Sequence, residues 1–346
     1  MPIYNFAPGP SVLAPEVKEH LAAMVLDWAD GLSLAEYPHR SLRFEALLEE
    51  SRSAVRRLLN IGDEYEVLFL MGGARQQFDW IARNFLQSKA CYWITGHWSE
   101  MASKIARPFG EVSQIKSLSI TEEIKGFDYQ FACINETVDG IELTKLPKAD
   151  APWVIDASSN IFSRSIDMTG VGLLMAGAQK NAGIAGVTIV VIHQDFLAQA
   201  KVDVKDYLYS YQAHVRAGSM LVTPPTLAIG AMKCVLDWIE AQGGVNELVK
   251  VNDTKAQLLY RTIDESKGFY RARVMPPYRS RMNVVFDLES EELLEAFLQG
   301  AQTQGLLNLR GHRSVGGVRA SIYNAMPLSG VKALVDWMKF FQNQQV

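Results

Sequence analysis

Leu173-Leu174-Met175-Ala176-Gly177-Ala178-Gln179-Lys180-Asn181-Ala182-Gly183-Ile184-Ala185-Gly186 is an apolar strand that runs straight into a lysine set among small residues. An ammonium in such surroundings loses hydration, which lowers its pKa and frees the amine to act as a nucleophile or Schiff-base partner. Lys180 is thus the first candidate functional residue, although a surface lysine in a turn would read the same locally.

Working upstream, the strand Trp153-Val154-Ile155 ends in Asp156-Ala157-Ser158-Ser159-Asn160. Ligands of α/β sheets bind at the carboxyl ends of strands. A carboxylate there suits the ring nitrogen of pyridoxal phosphate, which needs an acidic partner to act as an electron sink. The competing reading of Asp156 is a turn or N-cap aspartate. Further upstream, Phe69-Leu70-Met71-Gly72-Gly73-Ala74-Arg75-Gln76-Gln77-Phe78 is a strand, two glycines and a helix start. Free N–H groups at a helix start make a phosphate cradle, and Arg75 adds a fixed charge.

The surrounding chain sets the frame for these motifs. Short apolar runs at Val67 to Met71, Cys91 to Ile94, Phe131 to Ile134, Trp153 to Ile155, Leu173 to Ala176 and Val187 to Ile192 alternate with helix-like segments. This pattern predicts an α/β fold with a large, mostly parallel sheet covered on both faces. Val17 to Trp28 and Phe44 to Leu59 carry helical spacing before the sheet, and Thr226 to Glu240 and Glu247 to Asp264 carry it after. Beyond Gly268 the order strand (Met282 to Phe286), helix (Glu291 to Gln304), strand (Val318 to Tyr323), helix (Ser329 to Gln342) predicts a smaller α+β C-terminal domain. The expected division is 1–260 and 261–346, with residues 1–15 as a segment that can pack on the smaller domain.

Composition excludes several classes. The 346 residues carry 34 Lys and Arg against 38 Asp and Glu, a formal charge of -4, so there is no electrostatic footprint for nucleic acid or an anionic membrane. No apolar run approaches the roughly 20 residues that span a bilayer. Cys91, Cys133 and Cys234 are odd in number and widely spaced, and the N-terminus lacks the charge and apolar stretch of an export signal, so the expected compartment is the cytoplasm. The six histidines show no HExxH spacing, GxSxG is missing, and there is no GxGxxG fingerprint of a nicotinamide dehydrogenase; no metal is expected.

Basic residues recur at His39-Arg40 and in Gly311-His312-Arg313-Ser314-Val315-Gly316-Gly317-Val318-Arg319, where arginine forks would suit a substrate with two anionic ends. Trp98, in Thr95-Gly96-His97-Trp98, could stack on an aromatic cofactor or simply fill the core.

Together these segments resemble the phosphoserine aminotransferases, a class V branch of the fold-type I pyridoxal phosphate enzymes. The likeness also covers Asn135-Glu136-Thr137-Val138-Asp139-Gly140, Thr223-Pro224-Pro225-Thr226 and Arg279-Ser280-Arg281-Met282-Asn283-Val284, and so runs nearly end to end. The resemblance implies pyridoxal 5'-phosphate as cofactor, with Lys180 as its Schiff-base lysine, Asp156 on the ring nitrogen, Trp98 on the ring face and Thr137 on the ring hydroxyl. The backbone of Ala74 and Arg75, with Ser158 and Gln179, would hold the cofactor phosphate, completed by Thr223 from a second copy in a homodimer with shared sites. The family has an Asn-Thr pair there and this chain has Val222-Thr223. Losing such a hydrogen bond to a charged group costs about 1.5–3 kcal/mol. His39, Arg40, Arg75, His312 and Arg313 would take a substrate phosphate, and Arg319 the α-carboxylate. The implied reaction is transamination of 3-phosphohydroxypyruvate by glutamate, in serine biosynthesis. The alternatives are a class V aminotransferase for 4-phosphohydroxythreonine or an unphosphorylated amino acid, and a cofactor-binding protein without catalysis.

Overall fold

The computed structural model describes residues 2–119, 123–202 and 204–345. Its centre is a seven-stranded sheet of β1 (Tyr65–Met71), β2 (Lys89–Trp93), β3 (Glu111–Ile115), β4 (Tyr129–Cys133), β5 (Trp153–Asp156), β6 (Val171–Gly177) and β7 (Val187–His193). They lie in the order β1-β7-β6-β5-β4-β2-β3. Pairings from β6 through β3 are parallel, and β7 runs antiparallel to both β6 and β1. The mostly parallel α/β sheet expected from the alternation is present. β3 escaped the pattern because its sequence, Glu-Val-Ser-Gln-Ile, is that of a half-exposed edge strand.

Both faces of the sheet are covered, and alternate residues of each strand show it. Val67 and Phe69 of β1, with Leu174 and Ala176 of β6, join one apolar cluster together with Phe44, Leu48, Ile229 and Leu236 from two flanking helices. Leu68, Leu70, Leu173 and Met175 point the other way, into a cluster with Phe78, Ile81 and Ala102. Burying each such side chain contributes about 1.5–3 kcal/mol. The helix Leu42–Leu59 starts where Ser41 accepts the Phe44 N–H at 3.3 Å and stops where Asn60 turns left-handed at φ 54°.

A second core lies under the antiparallel sheet of β8 (Arg271–Ala272), β9 (Asn283–Asp287) and β10 (Val318–Ser321), with helices Glu291–Thr303 and Leu328–Gln345. The helix Val245–Glu265 runs unbroken through residue 260; its Val245 and Leu248 pack in the first core, and its Leu259 and Ile263 in the second. One helix therefore ties the two cores where the sequence suggested a boundary. The entry segment also reaches the second core: Tyr4–Asn5 pairs in parallel with Leu306–Leu307, and Phe6 is fully buried there. No helix among the described residues is long and apolar enough to cross a membrane.

Candidate active site

β4, β5 and β6 are parallel neighbours, so Cys133, Asp156 and Gly177 come to the same edge of the sheet. Asp156 is 4% exposed. Its Oδ1 accepts both the Ser158 N–H at 2.8 Å and the Ser158 hydroxyl at 2.6 Å, while Oδ2 lies 4.0 Å from Cys133 Sγ. Burial raises the pKa of Asp156, and the nearby Lys180 charge and the Ser158 bonds oppose that rise. Three residues past β6, Lys180 Nζ donates to the buried Thr137 Oγ1 at 2.6 Å and stands 5.8 Å from the centre of the Trp98 ring. Burial lowers the pKa of Lys180, against the pull of Asp156, Cys133 and Glu136. The stem of Lys180 is crowded by the entry segment: a Cβ on Gly9 would lie 3.3 Å from Lys180 Cγ, and Gly9 sits at φ +143°.

Two acids that the sequence reading gave no role hold Trp98 in place. Glu136 is fully buried and accepts the Trp98 N–H at 2.8 Å, the Ser99 N–H at 2.8 Å and the Ser99 hydroxyl at 2.6 Å. Asp139 accepts the His97 N–H at 2.8 Å. Both carboxylates sit at the start of the helix His97–Ala106, where free N–H groups favour negative charge. Gly96 is required there, because a Cβ would come 2.4 Å from Asp139 Oδ2. The available signal was an acid-rich turn, Asn135 to Gly140, joined to a glycine some forty residues earlier; nothing local marks that pairing.

Ala74 and Arg75 head the helix Ala74–Phe85, behind Gly72 at φ +111° and Gly73 as N-cap, so the expected phosphate cradle is formed by β1, a glycine turn and a helix start. The exposed Arg75 guanidinium lies 5.9 Å from the Trp98 ring centre. Gln179 folds over Gly177, where a Cβ would sit 2.7 Å from its Oε1. Ser158 departs from the expectation: its only hydroxyl proton goes to Asp156, and its oxygen accepts the Gly177 N–H at 3.0 Å. In this arrangement it orients the aspartate and has no proton to offer a phosphate.

Arg319, on β10, is 6% exposed, and its Nε lacks a hydrogen-bond partner. Among the described residues no carboxylate pairs with it, or with Arg75 or Arg313. A buried guanidinium without a counter-charge is costly, so this one is suited to an arriving anion. His312 stands 5.1 Å, ring to ring, from His97. The exposed Arg40 and Thr223 and the half-buried His39 make no hydrogen bond or ring contact with the Lys180 cluster within the chain. Trp98 Nε1 is also buried without a partner.

Comparison with known proteins places the chain in a family. The family model described as aminotransferase class-V matches residues 3–334. A phosphoserine aminotransferase from Laribacter hongkongensis is 43% identical over 99% of each chain, and one from Marinomonas sp. is 42% identical over 99% of each. Among solved structures, the phosphoserine aminotransferase from Bacillus circulans subsp. alkalophilus superposes with a TM-score of 0.94 at 36% identity, covering 100% of this chain and 99% of that one. A PLP-bound phosphoserine aminotransferase from Trichomonas vaginalis gives 0.91 at 34% identity, covering 98% and 100%. With a family match that takes in all of these motifs, and relatives aligned along essentially their whole length, the chain belongs to the class-V aminotransferases.

Proposed function

We propose that the chain transfers the amino group of glutamate to 3-phosphohydroxypyruvate, giving 2-oxoglutarate and phosphoserine, with pyridoxal 5'-phosphate as cofactor. The relatives' shared name supports the reaction. The observation that carries it is a desolvated lysine and an oriented aspartate at one edge of the large sheet, with the unpaired buried Arg319 of the small sheet close enough for its charge to act on Lys180. The serine-biosynthetic role follows from the product, and no observation favours the phosphothreonine, unphosphorylated or non-catalytic alternatives.

The residues fit the cofactor. Trp98 offers a ring face, Asp156 Oδ2 an acceptor not spent on Ser158, Thr137 a hydroxyl, and Ala74, Arg75 and Gln179 the surroundings of a phosphate. Thr223 would reach that phosphate from a second copy, and His39 and Arg40 would serve a site shared between copies, so the reading includes a homodimer. When bound, the cofactor supplies an aldehyde that takes up the amino group and a ring that withdraws electrons.

Lys180 supplies the amine that secures the cofactor, and its Nζ then moves the proton between the substrate carbon and its acceptor. Burial lowers its pKa from the ordinary lysine value, which favours the free amine. Asp156 holds a proton on the ring nitrogen, and the paired Ser158 bonds fix which oxygen does so. Arg319 binds the α-carboxylate, while Arg75, His312 and Arg313 hold the substrate phosphate. The reading also divides the chain into a large cofactor-binding part and a small C-terminal part joined by the helix Val245–Glu265. The test is an absorbance titration of the cofactor-loaded protein with glutamate and then with 3-phosphohydroxypyruvate. Spectral change with the first and reversal with the second are expected; no response to glutamate overturns the reading.

A further inference from the structure

We infer that His97 is a substrate-binding residue that, paired with His312, recognises the phosphate end of the keto acid and sets the preference for it. The inference rests on the substrate reading above and extends it to a residue that reading leaves without a role.

The placement of His97 is fixed by its backbone. Asp139 takes its N–H at 2.8 Å, and Glu136 takes the next two, so the first turn of the helix His97–Ala106 cannot swing away. The ring then meets Trp98 edge-on at 5.2 Å and His312 at 5.1 Å with a 48° tilt. His312 Nδ1 lies 2.7 Å from Ser314 Oγ and accepts the Ser314 N–H at 3.3 Å. Two half-buried imidazoles therefore lie next to each other beside the Trp98 ring, whose centre is 5.9 Å from the Arg75 guanidinium and 5.8 Å from the Lys180 amine.

The charge around the pair is one-sided. Burial holds the pKa of His312 below its ordinary value, and His97, Arg319 and Arg313 depress it further; only Asp139 acts the other way. Of the acids near His97, Asp139 is already bonded to the His97 N–H, Glu136 to the Trp98 and Ser99 N–H groups, and Glu100 is ion-paired with Lys104 at 3.0 Å. Arg319, whose Nε is partnerless, is taken by the α-carboxylate in the reading above, so the two imidazoles, with Arg75 and Arg313, are left for the other anionic end. A phosphate carries more charge and more acceptor oxygens than a carboxylate, so it gains most from two imidazole N–H donors set side by side.

The test compares His97→Phe, which keeps an aromatic ring against Trp98, and His97→Gln, which keeps an N–H donor, using the cofactor-loaded enzyme. For His97→Phe the ratio of kcat/KM for 3-phosphohydroxypyruvate to that for glutamate should fall about fivefold to tenfold, and Ki for inorganic phosphate should rise by a similar factor, with partial recovery in His97→Gln. An unchanged phosphate Ki, or equal losses in both half-reactions, overturns the inference. If the parent enzyme fails to prefer 3-phosphohydroxypyruvate over hydroxypyruvate, the substrate reading fails instead, and the phosphate Ki still decides the role of His97.

Discussion

The Ser158 hydroxyl donates to Asp156 Oδ1 at 2.6 Å while accepting the Gly177 N–H at 3.0 Å, so one side chain ties the end of β5 to the end of β6. That bridge leaves Asp156 Oδ2 to face the site. Ser158→Ala removes the charge-assisted bond, a loss of about 1.5–3 kcal/mol. The dissociation constant for pyridoxal phosphate, followed by absorbance, should rise at least about tenfold. A change within about twofold would show that the backbone N–H of Ser158 alone orients the carboxylate.

Arg319 separates activity from stability. Removing a partner of a buried charge pair costs about 2–5 kcal/mol in binding, so Arg319→Gln should lower kcat/KM by about 30-fold or more for both glutamate and the keto acid. Without ligand the same guanidinium is buried and lacks a counter-charge, so the variant should melt no lower than the parent. A parallel fall of Tm and activity in calorimetry and kinetics would mean that Arg319 is structural.

Lys180 and Asp156 were legible because a strand end is a local event: an apolar run, then one charged residue. The sheet was legible for the same reason, down to the apolar runs that became six of its seven strands. The direction of β7 was not, since Val187 to Ile192 is equally apolar whichever way it runs. Which arginine is buried was also hidden, because Arg313 and Arg319 lie six residues apart on a similar background, yet one is exposed and the other lies in β10. The Glu136 and Asp139 anchors pair with a helix about forty residues away, and no periodicity carries that information. His39, Arg40 and Thr223 make no hydrogen bond or ring contact with Lys180 among the described residues, and nothing in their local sequence says what they meet.

Glu136 gives a pH signature. Burial pushes its carboxyl up to about 7, against the Ser99 and Trp98 bonds that favour its charged form. Between the ordinary carboxyl range and about 7 the folded chain keeps a proton that the unfolded chain has lost. Its contribution to stability is therefore whole at low pH and disappears as pH rises through 7. Glu136→Gln removes this titration, so the slope of Tm against pH between about 5 and 7.5 should become more positive than in the parent. Trp98 fluorescence should change with pH through about 7 in the parent and stay level in Glu136→Gln, because only the parent's acceptor at the helix start gains a charge. Identical pH slopes would place the titration elsewhere.

Lys255 acts at a distance from the chemistry. It is fully buried, and its Nζ donates to the carbonyls of Ile322, Tyr323 and Met326 at 3.0, 2.8 and 3.1 Å, gathering the turn that follows β10 and Arg319. From that turn Tyr323 donates to Pro8 O at 2.7 Å, and the adjacent Gly9 lies against the Lys180 stem. Lys255→Met leaves three carbonyls without this donor, at about 1–3 kcal/mol for a buried group left unsatisfied, so Tm should fall. Burial lowers the amine to about 7. Below that pH folded and unfolded chains are both protonated and the penalty is complete; between about 7 and the ordinary lysine range the unfolded chain holds the extra proton, so stability rises with pH. The parent should therefore gain stability from pH 7 to 9 relative to Lys255→Met in denaturant melts. If the two slopes coincide, Lys255 stays charged in the folded chain and the three carbonyls outweigh its burial.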